Sequence, residues 1–460
     1  MKYLQLFALF GLVAGLSACA ATPPAVPDRS EIRPPVIGSN SQPTAARPPA
    51  REAQTTGTLT LAAAIETALL NNPGLRAEFA ALEASVLDVP QASSLMDPQL
   101  SHMVDGIFEG DDGRNFESEL SQSIPWFGKL RLRGDVARSE ALQVLQDYRA
   151  KVLDVRLQVQ QAWYRLAYEQ AALALAEEDQ RTIEQSLESA AALYSTGERG
   201  RGSLLQSQTE LARIENELAG YPGRIAALRQ ELALLLFVDQ LSPVPALSDA
   251  LLEEIALPDA EALIAEAITL RPEIERFRLE ESQADLQHEL ARRDYYPDFM
   301  VGVRYMGEGA APSSSAAFGD SGGGMDEWGV AVGIKIPIPN ARRRAAKEQA
   351  LRKREEAEWR RIAAESTAEQ GVRGLLQRLT SLQRQLDILR ENLMPLAEEA
   401  YLTNQTGYTS GQTTFLELLD SQRTLIAVRR DLLQARRDYL LTITELERAV
   451  GGSLTSEELP

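Results

Sequence analysis

Histidine and cysteine carry much of protein chemistry, and this chain of 460 residues has two of the first and one of the second. His102 and His288 are far apart and unaccompanied in sequence, and read as surface or packing residues. No His/Cys metal cage, disulfide framework or Cys–His dyad can be built from that set. No metal, cofactor or catalytic residue is expected. Gly322-Gly323-Gly324 is not followed by a helix start bearing lysine, so it reads as a flexible loop and not a phosphate cradle. Glu417 and Asp420 are three apart and project from one face of a helix; with 66 acids in the chain, a solvated face is the bland explanation. Against those acids stand 47 Lys plus Arg, a net charge of −19. That balance argues against nucleic-acid binding, which needs a basic face. Arg342-Arg343-Arg344 follows Pro337 and Pro339, and reads as lying near a lipid headgroup or an intersubunit acid.

The single cysteine has an address instead of a reaction. Lys2, an apolar run from Leu4 to Leu16 and then Ser17-Ala18-Cys19 predict a signal peptide over 1–18, too short to span a bilayer. Leu16-Ser17-Ala18-Cys19 resembles the bacterial lipobox, which would make Cys19 the acylated first residue of the mature chain. Ala20 after it, by resemblance to other lipoproteins, favours the outer membrane. Residues 19–57 are rich in Pro and Ala and read as an extended tether.

The elements that must position everything else come in two copies. Ala68–Pro73 matches Ala267–Pro272 at a shift of 199, and Asp97-Pro98 falls on Tyr296-Pro297 at the same shift. Tyr194–Gly197 matches Tyr408–Gly411, and Leu204–Gln208 matches Leu418–Gln422, at a shift of 214. Landmark order is kept, and the growth in shift sits mainly in the loop Gly307–Met325, as tandem duplication predicts. The first repeat covers 58–257, with strands about 99–124 and long helices about 130–236. The second covers 258–452, with strands about 297–337 and long helices about 340–450, before a tail at 453–460. Each copy reads as short helix, helix, two strands and two long helices. The segment 130–195 keeps one apolar stripe at helical spacing and would extend roughly 100 Å, so it needs neighbours along its length. Pro395 predicts a local kink in 340–409.

In the strands, Phe299, Val301, Val303 and Tyr305 alternate with Met300, Gly302, Arg304 and Met306; Trp328, Val330, Val332, Ile334 and Ile336 alternate with small residues and Lys335. Alternation of this length suits bilayer-crossing strands and equally two soluble hairpins; the lipobox and exported character favour the membrane. Four strands cannot close a barrel. Two copies would give eight, filled by side chains, and three would give twelve, with room for a channel. The residues alone leave the number open.

Ile124–Arg131 (IPWFGKLR), Leu393–Tyr401 (LMPLAEEAY) and Phe415–Arg423 (FLELLDSQR), joined to the duplication and the lipobox, resemble the TolC family of outer-membrane efflux channels over about 58–452. That resemblance implies a mainly α chain with transmembrane β: a homotrimer whose 12-stranded barrel continues into a periplasmic α-helical barrel. It implies an exit duct serving a periplasmic adaptor protein and an inner-membrane efflux pump, anchored in outer-membrane lipid. It further implies that the turns at Tyr194–Gly202 and Tyr408–Gln412, reversed at Gly197, Gly200, Gly202 and Gly411, are periplasmic tips that touch the adaptor. Glu417 and Asp420 match the family's acidic constriction, and three copies of each would crowd charge and push some of their pKa values upward. The family's ionic latch is missing: Gln412 and about Ser203 occupy its positions, so a hydrogen-bonded or apolar closure involving Tyr408 is expected. The alternative is a periplasm-spanning coiled-coil structural lipoprotein without a pore.

Overall fold

The computed structural model describes residues 59–105, 113–195, 201–247, 259–310, 327–338 and 340–454. The signal segment, Cys19 and its tether, Gly197, Gly200, Gly322-Gly323-Gly324 and the tail from residue 455 lie outside them.

The first repeat runs α1 (Leu61–Asn71), α2 (Pro73–Ser93), β1 (Gln99–Asp105), β2 (Gly113–Ile124), α3 (Lys129–Ser195), α4 (Arg201–Leu218) and α5 (Tyr221–Leu236). The second runs α6 (Ala260–Leu270), α7 (Pro272–Arg293), β3 (Asp298–Ala310), β4 (Glu327–Lys335), α8 (Ala341–Asp387), a π-turn (Ile388–Leu393), α9 (Met394–Thr409) and α10 (Phe415–Val450). The two parallel each other down to their caps. Thr60 caps α1 by accepting from Ala63 N, and Asp259 caps α6 by accepting from Glu261 N.

Three departures from the sequence pattern have physical causes. The second long helix of repeat one breaks between α4 and α5, where Gly220 is followed by Tyr221 and Pro222 at the next helix start; its counterpart α10 is unbroken. Pro395, having no N–H to give, is absorbed by the π-turn just before it, where Met394 N donates to Leu389 O. And β3 continues to Ala310, four residues into the stretch read as loop.

The chain forms two compact units. One comprises Ala80–Gln146 and Arg276–Ile362, and holds an antiparallel sheet in the order β1-β2-β3-β4. The repeats meet in it at β2 and β3, paired from Gly113↔Ala310 to Ile124↔Phe299. Its helices bury Leu82, Val89, Leu132 and Ala141 and add polar contacts: Ser139 Oγ donates to Leu279 O at 2.9 Å, and Gln143 Nε2 to Gln283 Oε1 at 2.9 Å. The other unit, with Asp147–Glu275 and the residues from Ala363, carries the apolar cores. Ala64, Ile65 and Ala68 of α1 share one cluster with Val159, Trp163, Leu166, Leu232 and Leu236. Leu263, Ile264 and Ala267 of α6, the repeat equivalents, share another with Val372, Leu379, Leu446 and Val450. No described helix is long and apolar enough to cross a membrane, which leaves the strands to be judged on their own terms.

Candidate pore wall and helical turn

Register sorts the sheet into two faces. Cross-strand partners Val104↔Phe116↔Gly307, His102↔Ser118↔Tyr305↔Trp328, Leu100↔Leu120↔Val303↔Val330 and Ile124↔Phe299↔Ile334 lie on one side. That side is apolar and exposed: Leu100, Val330 and Val332 are each more than 70% accessible. Aromatic rings band it at two levels. Phe116, Tyr305 and Trp328 pack as tilted rings with centroids 4.8–5.7 Å apart; lower down, Trp126 stacks on Tyr296 (5.3 Å) and Phe299 (5.6 Å). Phe299 and Tyr305 are separated by about 20 Å of strand at roughly 3.3 Å per residue, close to the apolar band of an outer-membrane barrel between its aromatic girdles. His102 is accompanied after all: its Nδ1 lies 2.8 Å from Ser118 Oγ, a pairing that satisfies both groups on the apolar face.

The opposite face carries Glu117, Glu119, Arg304, Glu327 and Lys335 among glycines. Arg304 Nε lies 2.8 Å from Glu117 Oε1, and its Nη2 3.7 Å from Glu119 Oε2. Long charged groups need water or one another, so this face is built for a hydrated interior. Among the described strands, β1 and β4 each have a neighbour on one side only.

The motif Trp126-Phe127-Gly128-Lys129 is a clasp between repeats. Gly128 takes φ +81°, and a side chain there would strike the guanidinium of Arg293, which donates to Phe127 O at 2.9 Å. Lys129, almost fully buried, donates to Asp298 Oδ1 (2.9 Å) and Tyr296 O (3.2 Å) and lies 3.6 Å from Asp294. Asp298 also accepts from Trp126 N at 2.9 Å. Asp294, Asp298 and Arg293 were not picked out from the sequence, since their partners lie more than 160 residues away.

The turn between α9 and α10 is tightly made. Gly411 takes φ +80°, while Gln412 N (2.8 Å) and Thr413 N (3.1 Å) both donate to Gly407 O. Gly407 was missed; a Cβ there would come within 2.7 Å of Thr413 Cγ2. Tyr408 is buried, edge-on to Phe415 at 5.6 Å, in a cluster with Tyr401, Leu418 and Leu419. It is a packing residue of the turn and not a surface group. Gln412 is exposed. Across the sequence, Tyr194 is exposed near the end of α3, and Ser203 and Gly202 lie inside the first turn of α4. Gly202 therefore does not make the reversal, and a Cβ on it would meet nothing within 4 Å.

Glu417 and Asp420 are both exposed on α10. Glu417 also closes a capping box that was overlooked, although Thr414-x-x-Glu417 is its sequence signature. Thr414 N donates to its Oε2 at 2.7 Å and Thr414 Oγ1 at 3.0 Å. Those hydrogen bonds hold the Glu417 carboxyl below the usual range, so within one chain the shift runs opposite to that expected from crowding. The next charge along is a cation: Arg423 grips Glu210 Oε2 through Nη2 (2.6 Å) and Nε (3.1 Å). Farther along α10, Arg430 pairs with Glu217 (2.8 Å) and lies 3.8 Å from Asp179, and Arg448 pairs with Asp154 (2.7 Å) and Glu273.

A model of the family described as outer membrane efflux protein matches residues 64–236 and 263–452. The cation efflux system protein CusC of Escherichia coli is 24% identical over 291 residues, 61% of this chain and 62% of that protein, so the match spans less than two thirds of the relative. Among solved structures, one of CusC superposes with a TM-score of 0.74 at 21% identity, covering 91% of this chain and all of that one. The outer membrane protein VceC of Vibrio cholerae gives 0.70 at 20% identity (86% and 97% covered), and the MtrE outer membrane channel of Neisseria gonorrhoeae, in its open state, 0.70 at 20% (86% and 89%). The fold is theirs. With its duplicated plan, its two-faced sheet and a family match over most of its length, the chain belongs to the outer membrane efflux protein family.

Proposed function

We propose that this chain is the outer-membrane exit duct of a tripartite efflux system, passing substrate without chemistry from an inner-membrane pump and periplasmic adaptor to the exterior. The observation that carries the reading is the four-stranded sheet with one exposed apolar face, one charged face and two open edges. Open edges are not tolerated in hydrocarbon, and three copies are the smallest closed set with room for a lumen. Cys19, by its lipobox, anchors each copy in the outer membrane. The turns near Tyr194, Gly197, Ser203, Gly411 and Gln412 meet the adaptor, with Tyr408 stiffening its turn from within. Three copies of Glu417 and Asp420 form an acidic constriction that favours cations, in keeping with the relative named for cation efflux.

Planar-bilayer recording tests this. Glu417→Gln/Asp420→Asn removes charge while glutamine keeps the capping box, so a change in current is not a change in fold. Stepwise, cation-selective openings that lose selectivity in the double variant support both pore and ring. Unaltered selectivity discards the ring and keeps the pore. A closed duct is opened for the test by Tyr408→Ala; silence there too, in a protein that stays in solution without detergent, leaves the structural scaffold.

A further inference from the structure

Between Lys335 and Lys347 the sequence places five cations and no acid, in a chain of net charge −19. Arg342, Arg343 and Arg344 all fall in the first turn of α8, where no acidic residue accompanies them. Helix N-termini are the positive end of the macrodipole, and three other helices complement it with acids: Glu261 opens α6, Glu273 and Glu275 open α7, and Glu417 opens α10. Arg343 is occupied locally, donating to Ile338 O at 2.6 Å. Arg342, Arg344 and Lys347 are exposed, and no described carboxylate lies within ion-pair distance of them. The arginines further along α8 differ sharply, since Arg352, Arg354, Arg360 and Arg361 all have acidic partners.

What lies next to this patch identifies its counterpart. The apolar parity of β4 does not stop with the strand at Lys335; it continues through Ile336 and Ile338, which are 74% and 72% exposed. The lipid-facing surface therefore extends to the foot of α8, with exposed Phe127 beside the lower aromatic band. Cations that begin where an apolar membrane face ends sit at headgroup depth, their stems along the apolar surface and their charges outward. We propose that Arg342, Arg344 and Lys347 form a collar that binds the phosphodiester headgroups of anionic phospholipid in the leaflet on the helical side of the sheet. The collar rests on the membrane-strand reading above. A bound anionic headgroup also offsets the unfavourable stacking of like charge on the helix dipole.

The test uses the full chain in nanodiscs of phosphatidylcholine, with or without one third phosphatidylglycerol. Lipid retained by the oligomer is read by native mass spectrometry, alongside the thermal midpoint. Each cation near an anionic surface is worth about fivefold in affinity, so Arg342→Gln/Arg344→Gln/Lys347→Gln is expected to weaken phosphatidylglycerol retention by tenfold or more. It is also expected to abolish the rise in midpoint that phosphatidylglycerol gives the wild type. Arg342→Lys/Arg344→Lys keeps the charge and the response, and Arg352→Gln, away from the collar, keeps both. Equal retention by wild type and triple variant overturns the proposal. So does protection by inorganic phosphate equal to that by the lipid, which would make the site one for a free anion. Dissociation of the triple variant in both lipid mixtures would assign the cations to carboxylates of a second copy instead. Failure of the wild type to enter nanodiscs would sink the membrane-strand reading itself, a result distinct from insensitivity to lipid charge.

Discussion

Asp179 shows what a single carboxylate does when desolvation outweighs attraction. Burial is the largest influence on it and pushes its pKa up to about 6, against the opposing pull of Arg430 and Arg429; Glu178 and Glu217 push it further the same way. The folded chain thus holds this proton more tightly than the unfolded chain does, and between about pH 4 and pH 6 acidification adds stability. Above that window the ionised group is a liability. Asp179→Asn is expected to raise the unfolding free energy at pH 8, by on the order of 1–3 kcal/mol in urea denaturation, and to flatten its slope between pH 4 and 6; an unchanged slope would show that Arg430 compensates fully. Glu273 works with the opposite sign. Burial alone would raise it, but hydrogen bonding and charge from Arg448 hold it below its ordinary value. Its contribution is therefore present above the unfolded carboxyl range and lost as pH falls through the folded value. Backbone geometry gives a second expectation at this scale. Gly451 ends α10 at φ +91°, and a Cβ there would press on the backbone of Leu270 and Arg271 at 3.1 Å. Gly451→Ala should lower stability by about 1–2 kcal/mol, measured by urea denaturation. Phe237, its equivalent in repeat one, already adopts φ +54°, a strain no residue-type rule reveals.

At the scale of elements, much was readable because helical and strand periods are written locally. The long helix over 130–195, the strand parities and the offset between repeats all follow from spacing that neighbours on the chain enforce. The clasp was not readable in the same way. Ile124–Arg131 stood out as a motif, yet its meaning lies in Asp294, Tyr296 and Asp298, which a linear reading assigns only to a helix-to-strand passage of the other repeat. The same limit hid Arg423–Glu210 and left the break at Gly220 unforeseen, since whether a helix continues past a weak point depends on what packs against it. Lys129 offers a direct check. Removing one member of a buried pair strands the other, typically at about 3–5 kcal/mol; Asp298 is partly exposed, so Lys129→Met should cost about 2 kcal/mol. Pairing it with Asp298→Asn should recover part of the loss in a double-mutant cycle. Strict additivity would mean that the two groups are neighbours without coupling, and that the stacked Trp126, Tyr296 and Phe299 hold the junction alone.

For the whole molecule, stoichiometry and conduction are two consequences of one number, the strands each copy supplies. Eight strands from two copies would fill their interior with side chains, whereas twelve leave a lumen; a face carrying the ion-paired Glu117, Glu119 and Arg304 suits the second arrangement. Neither the sheet nor the turn counts the copies by itself, but the acidic pair on α10 can do the counting. If wild type is co-expressed with Glu417→Gln/Asp420→Asn, each channel draws its subunits at random, and the constriction loses its carboxylates one copy at a time. A trimer then yields four classes of single-channel cation selectivity, from fully acidic to fully neutral. A dimer would yield three, and a tetramer five. Since the glutamine variant keeps the Thr414 cap, the intermediate classes should open as stably as the parent and differ only in selectivity. Four evenly stepped classes would join pore, ring and subunit number in one record. A single class, identical to wild type whatever the mixture, would remove the pair from the conduction path while leaving the barrel's need for closure untouched, and would direct the search for the constriction to the charged face of the sheet.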